Sequence, residues 1–346
     1  MNFSKTLINW YSVNKRILPW RETTNPYCIW LSEIILQQTQ VKQGLPYYEA
    51  FLGKFPSVFH LANADEAQVL KLWQGLGYYS RARNLHAAAK FIVNDLKGEF
   101  PNNYKDLLKL KGVGDYTASA ISSICFNEVA AVVDGNVYRA LSRYFGIDTP
   151  INSSKGAKEF KLLAQELIDA KQPAEFNQAI MEFGAMQCKP KNPDCSSCPF
   201  KDSCVALQKN IVSELPVKIK SAKAKKKYFN FLVFISDDKK TVLEKRTGKG
   251  IWQNLYQFPL IETKREANFE TLLELAKKQD LLKSVNFELT LYNKDTLVHK
   301  LSHQHLYTKF WIVKINTNLE KGILIDDIEN YAVPILIGNF IEKFEF

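Results

Sequence analysis

Four of the six cysteines of this 346-residue chain fall within seventeen residues, as Cys188, Cys195, Cys198 and Cys204. The spacing, C-x6-C-x2-C-x5-C, lies in a stretch crowded with proline and lysine. Four thiolates this close can enclose one metal centre, and soft sulfur ligands select zinc or an iron–sulfur cluster. Zinc sites more often use two C-x2-C pairs separated by a longer arm. Ligands strung unevenly along one short loop, 188–204, suit a [4Fe–4S] cubane better; zinc and unligated thiols are the alternatives. Disulfides are not expected. The N-terminal stretch has no apolar run of a signal peptide, which predicts a cytoplasmic protein whose thiols stay reduced. Cys28 and Cys125 sit in apolar helical contexts and read as core residues.

The length calls for two domains. Residues 1–215 read as all α, with apolar residues at three- and four-residue spacing in 29–41, 64–73, 83–96 and 160–170. Six lysines within 218–227 mark 216–228 as an exposed linker. Beyond it, 229–346 reads as α+β. The stretch 228–236 is aromatic and β-branched, 237–240 is a turn, 241–245 can return as a second strand, 269–278 looks helical, and 308–315 is another strand. No run of eighteen apolar residues occurs, so no membrane span is expected. The formal net charge of +10 favours a polyanionic partner, although a basic enzyme indifferent to nucleic acid fits it equally.

Three further strings carry chemistry. In 107–124, LLKLKGVGDYTASAISSI, an apolar helix is expected to end at Gly112-Val113-Gly114, with a new helix starting at once. Its free N–H groups would then face outward, ready for a phosphate. Glu33 lies in the apolar helical stretch 29–36, where desolvation would favour its neutral form and make it a general acid near neutral pH. A surface glutamate is the alternative. Asp134 follows Ala130–Val133 and reads as a helix N-cap, fixed in place and held ionised. Cleaving a sugar–base bond passes through an oxocarbenium-like state that needs an acid at the leaving group and a carboxylate beside the cation.

Taken together, these strings resemble a known family. The cysteine spacing after a helical domain is similar to the cluster loop of the endonuclease III superfamily, where the cluster is structural and presents basic residues, here Lys189, Lys191 and Lys201, to DNA. The 107–124 string resembles the helix-hairpin-helix signature L-P-G-V-G-x-x-T-A, with Lys111 in place of proline. Ser32–Val41 resembles the MutY-family motif [S/T]-E-x-x-L-Q-Q-T-x-V, and Val133–Val137 its V-D-G-N-V. The resemblance to the MutY adenine DNA glycosylases implies that Glu33 protonates adenine N7 and helps activate water. It also implies that Asp134 stabilises the sugar cation, with Asn136 in support. Tyr116 stands where bifunctional relatives place a nucleophilic lysine, so release of the base without strong strand cleavage is implied.

The target base must flip out of the duplex before it can be cleaved. By the same resemblance, Gln38 and Tyr78 fill the space around the partner base, Leu76 and Thr39 face it, and Trp20 and Arg21 line the adenine side. Lys111, Gly112 and Gly114 grip the backbone. Gly250–Pro259 resembles the G-x-W-x-x-L-[WY]-x-F-P segment of the Nudix-like MutY C-terminal domain. Arg265-Glu266 begins a Nudix box that Phe269 interrupts, which implies base recognition without hydrolysis of a nucleotide. Leu301-Ser302-His303 resembles the family's F-S-H loop, with Leu301 in place of the aromatic. Ser302 and His303 would therefore read 8-oxoguanine. His299, His303 and His305 offer a metal site as an alternative. The expected substrate is double-stranded DNA with an A:8-oxoguanine or A:G mispair, bound by a monomer. The rivals are an endonuclease III-like glycosylase-lyase and a non-catalytic iron–sulfur DNA-binding protein.

Overall fold

A computed structural model describes residues 2–220, 223–283 and 285–346. The chain divides into two compact units, residues 1–63 with 84–220 and residues 64–83 with 221–346. The first unit and the 64–83 insertion are helical. Their helices are α1 (Phe3–Asn14), α2 (Pro26–Leu36), α3 (Val41–Lys54), α4 (Val58–Asn63), α5 (Glu66–Leu72), α6 (Ser80–Asp95), α7 (Tyr104–Leu107), α8 (Asp115–Phe126), α9 (Gly135–Phe145), α10 (Ser154–Leu167), α11 (Pro173–Met186) and α12 (Val205–Gln208). The division between the units passes through α6.

Local chemistry sets the starts of the functional helices. The Asn25 side chain accepts from the backbone of Tyr27 and Cys28, and Pro26 opens α2 at the position where a missing N–H costs nothing. Asp134 caps α9 by accepting from Asn136 N and Val137 N. Two expectations shift here. The helix read over 29–41 stops at Leu36, because Thr39 N turns back onto the Leu36 carbonyl and Gln38 takes a left-handed φ of 54°. The helix before Gly112 is only the single turn of α7. Its C-terminal side closes instead through tight turns, with Lys109 N on Asp106 O and Val113 N on Leu110 O.

The second unit carries β1 (Lys225–Ser236), β2 (Lys240–Thr241), β3 (Glu244–Lys245), β4 (Tyr256–Gln257), β5 (Leu260–Thr263), α13 (Phe269–Lys277), β6 (Phe287–Leu291), β7 (Leu297–Lys300), β8 (Gln304–Ile315), β9 (Ile323–Leu324) and α14 (Ile335–Ile341). The main sheet runs β5-β1-β8-β6, with β7 also on β8, and its central pair β1–β8 is parallel. Both central strands are nearly continuously buried, as expected of strands covered on both faces. On one face Leu232, Phe234, Trp311 and Val313 pack with Leu272 and Ala276 of α13. On the other, Phe310 lies between Phe231 and Phe340 of α14. The α+β expectation stands, but the return strand read over 241–245 is two short bridges, β2 with β9 and β3 with β4. β1 starts inside the lysine stretch, so Lys225, Lys226 and Lys227 are strand residues. Ser221 and Ala222 of the expected linker lie outside the described residues.

α9 and α11 meet at Gly184, where an added Cβ would lie 2.6 Å from the Asn136 carbonyl oxygen and 2.7 Å from the Asn136 Cβ. Neither atom sits at the end of a flexible side chain, so one helix must move. Gly184→Ala is expected to destabilise the protein by about 1–3 kcal/mol, the usual cost of overpacking, read as a lower midpoint in chemical denaturation.

Candidate active site

Glu33 is buried on α2, at 8% exposure, and lines a cleft of about 1160 Å³ together with Gln38, Thr39, Gly112, Gly114, Tyr116, Asp134, Asn136 and Arg139. The cleft lies wholly in the first unit. Burial pushes the Glu33 carboxyl up to about 7; a hydrogen bond with the Tyr116 hydroxyl holds it down and the nearby Asp134 carboxylate raises it further. Tyr116, on the first turn of α8, is driven well above the ordinary phenol range by burial and by Glu33 and Asp134. Its hydroxyl therefore stays protonated, and it also lies 3.1 Å from Met181 Sδ.

Asp134 is held by its own cap. Oδ1 accepts from Asn136 N at 2.9 Å and Val137 N at 2.8 Å, and Oδ2 accepts from Asn136 Nδ2 at 2.8 Å. The capping role is as expected. The charge is more finely balanced than a cap alone implies, because burial pushes this carboxyl upward against those bonds and against Arg139. Arg139 was not legible as a site residue. It donates to Asn136 Oδ1 at 2.8 Å, to Cys188 O at 2.7 Å and to Gly184 O at 2.5 Å. Arg16 also lines the cleft, and it shares the buried Glu182 carboxylate with Arg21. Burial alone would raise Glu182, but bonds from the two arginines bring it down to about 2.

Trp20, Arg21 and Lys111, also in the first unit, are not among the residues that line this cleft. Trp20 is buried edge-on to Tyr48, and Arg21 spends its guanidinium on Glu182 and the Arg16 carbonyl. Lys111 is exposed beside Gly112, whose φ of +84° places it in the left-handed region. An added Cβ at Gly114 would meet nothing within 4 Å, so that glycine leaves open space at the α8 N-terminus. In the second unit Leu76 is buried, whereas Tyr78 is half exposed at φ +47° and its hydroxyl lies 2.9 Å from Ser302 Oγ. Ser302 and His303 are exposed at the β7–β8 turn. Glu266, the start of the interrupted Nudix box, is tied to Lys309 Nζ at 2.9 Å and Thr296 Oγ1 at 2.6 Å.

Cys188, Cys195, Cys198 and Cys204 are free thiols that surround one small cavity of about 30 Å³, lined also by Arg143, Phe183 and Phe200. Arg143 Nη1 points at Cys188 Sγ from 3.5 Å and binds the Lys189 carbonyl at 2.7 Å. Among the described residues no three His, Cys, Asp or Glu side chains gather as a single metal ion requires, and this includes His299, His303 and His305. Cys28 and Cys125 lie on α2 and α8 and are partly buried. No helix among the described residues is long and apolar enough to cross a membrane.

A buried carboxyl poised near neutrality beside a second carboxylate, on a scaffold of helices with a glycine hairpin, defines a class, and comparison with known proteins agrees with it. Residues 31–184 match the HhH-GPD superfamily of base excision DNA repair proteins, and residues 230–343 match the NUDIX domain. The first unit shares its fold with endonuclease III solved in a non-covalent DNA complex, at TM-score 0.52 and 20% identity over 61% of this chain and 99% of that one. It is also similar to a thermostable thymine-DNA glycosylase, at TM-score 0.56 and 31% identity over 60% and 95%. The adenine DNA glycosylase of Buchnera aphidicola (subsp. Schizaphis graminum) is 35% identical over 318 residues, 92% of this chain and 88% of that protein. That of Homo sapiens is 43% identical over 216 residues, 60% and 40%. The chain belongs to the adenine DNA glycosylase family, and its activity is the excision of adenine from DNA.

Because Glu33 binds its proton more tightly in the folded chain, the folded state holds more protons than the unfolded one between pH 4.5 and about 7. Stability therefore falls as pH rises through that window. Glu33→Gln removes the penalty, so its stability relative to the parent is expected to improve by about 3 kcal/mol between pH 4 and pH 8. Chemical denaturation at the two pH values measures this.

Proposed function

We propose that this enzyme removes adenine mispaired with 8-oxoguanine, and less readily with guanine, by hydrolysis alone. The observation that carries the reading is Glu33, buried, at about 7, in one cleft with Asp134. In its protonated form Glu33 gives its proton to adenine N7, and the C1′–N9 bond breaks with its electron pair passing to the base. The Asp134 carboxylate, aimed by its cap and by Asn136, faces the sugar cation. Deprotonated Glu33 then takes a proton from the water that adds to C1′. Tyr116 supports the single-step outcome, because a phenol held protonated cannot form the imine that a lyase needs.

Gly112 makes the tight left-handed turn and Gly114 leaves the α8 N-terminus open to a backbone phosphate, with Lys111 beside it. Tyr78, Ser302 and His303 lie in one unit, and a polar pair beside an exposed aromatic suits reading of the oxidised base. Gln38 and Thr39 serve the duplex side of the cleft, Trp20 and Arg21 shape the first unit from within, and Leu76 does so beside Tyr78 in the second. The four cysteines fit a [4Fe–4S] cluster. They ring one cavity, and Arg143 supplies positive charge against thiolates. When bound, the cluster supplies structure, closing the 188–204 loop and presenting Lys189, Lys191 and Lys201. The enzyme acts as a monomer on chromosomal DNA in the cytoplasm.

Single-turnover release from duplexes with A opposite 8-oxoguanine, with and without alkali, tests this reading. Adenine loss with strand breaks only after alkali is expected; breaks without alkali would place the enzyme among the lyases. The rate should fall as pH rises through about 7, where Glu33 loses its proton. Glu33→Gln should abolish release while duplex affinity stays within about threefold. Replacing Ser302 and His303 together by alanine should shrink the preference for 8-oxoguanine over guanine by about tenfold, and an unchanged preference removes their role.

A further inference from the structure

The segment that delivers Asp134 is an irregular stretch between α8 and α9 inside a helical unit. Residues 127–134 belong to no helix or sheet, yet Ala130, Ala131 and Val132 are buried. Buried peptide groups need partners, and among the described residues no strand pairs with this segment to provide them. Side chains provide them instead. On one edge, Gln165 of α10 accepts from Ala131 N at 3.0 Å and donates to Val129 O at 2.8 Å. On the opposite edge, Asn177 of α11, fully buried, accepts from Val132 N at 3.0 Å and donates to Ala130 O at 2.8 Å. Each amide thus clasps an N–H and a C=O two residues apart, the pattern a neighbouring strand would use. Lys161, one turn before Gln165, donates to Ala131 O at 2.8 Å.

The clasp reaches further than the segment. Asn177 Nδ2 also donates to Ser123 Oγ at 2.8 Å, and Lys161 Nζ to Ser119 Oγ and Asp115 Oδ2, each at 2.9 Å. All three acceptors are on α8, the helix that carries Tyr116, the hydrogen-bond partner of Glu33. The same side chains therefore fix the segment ending at Asp134 and the helix that orients Glu33.

We propose that Asn177 and Gln165, aided by Lys161, are positioning residues that set the placement of Asp134 relative to Glu33. The inference rests on the reading of Asp134 as the carboxylate facing the sugar. Transition-state stabilisation by a fixed charge depends on sub-ångström placement, so loosening the clasp should slow bond cleavage without weakening the grip on DNA.

The test uses the full-length protein and an A:8-oxoguanine duplex. Single-turnover release is compared with the dissociation constant for a duplex carrying a non-hydrolysable adenosine analogue. Asn177→Ala is expected to slow release by about tenfold or more, and Gln165→Ala by about threefold, with affinity changed less than about twofold. Tyr27→Phe, which removes a buried hydrogen bond from the first turn of α2 to the Phe55 carbonyl and none of the clasp's own bonds, is the control for simple loss of stability and should release adenine at the parent rate. Gln165 is exposed, so its variant keeps the test decisive if Asn177→Ala does not fold. Rates in both variants equal to that of Tyr27→Phe, or rate and affinity falling in parallel, would overturn the clasp. Asp134→Asn, which keeps a capping side chain and removes the charge, separates the two ideas. Parent-like release in it would remove the reading of Asp134 and the clasp with it. A large loss there, with Gln165→Ala and Asn177→Ala at the control rate, would sink the clasp alone.

Discussion

Desolvation of Glu33 is the constraint around which the first unit is arranged. A carboxyl placed on an apolar helix and covered from water loses the hydration that favours its charged form, and it comes to rest at about 7. That burial costs stability at neutral pH, and the surrounding groups limit the cost without removing it. Tyr116 donates to the carboxyl, but a permanent cation there would restore full ionisation and end the acid role proposed for it. The arginines nearby are engaged elsewhere. Arg16 and Arg21 are committed to Glu182, and Arg139 is committed to Asn136 and the carbonyls of Gly184 and Cys188.

Asp134 shows the complementary solution. It is partly buried, and burial also raises it, but it accepts two backbone N–H groups and one side-chain amide. Two carboxyls in one cleft are thus differentiated by hydrogen bonding: one accepts from a single phenol, the other from three N–H donors. The difference is the one that the proposed roles of acid and anion require.

How much of this could be read from the chain varies with the range of the interaction involved. The α9 cap, the buried face of α2 and the glycine turn before α8 are local, set by residues a few positions apart, and the sequence patterns found them. The strand read over 228–236 and the helix over 269–278 were found for the same reason. The stop of α2 at Leu36 was missed because the 29–41 periodicity continues through Gln38, whose positive φ nothing in the pattern announces. Arg139, Glu182, Lys161 and Asn177 were missed because each works across a helix–helix contact. A buried arginine or asparagine in the middle of a helix carries no positional signature until its partners, tens of residues away, are in place.

The division into units follows from the same distinction between local pattern and long-range contact. Residues 64–83 look helical and lie in sequence within the helical domain, yet several of their hydrogen bonds are made with the rest of the second unit. Lys71 Nζ reaches Tyr331 O, Gln74 Oε1 accepts from Val333 N, and Tyr79 donates to Val333 O. The buried Tyr79 anchors the turn, and Gly75 and Gly77, both at positive φ, let the chain reverse on either side of Leu76. The turn then presents Tyr78 outward while its hydroxyl rests on Ser302. A flexible loop would lose conformational entropy on meeting DNA. Here the aromatic and the polar pair proposed to read the partner base are already ordered against one another, so less of the binding energy goes into arranging them.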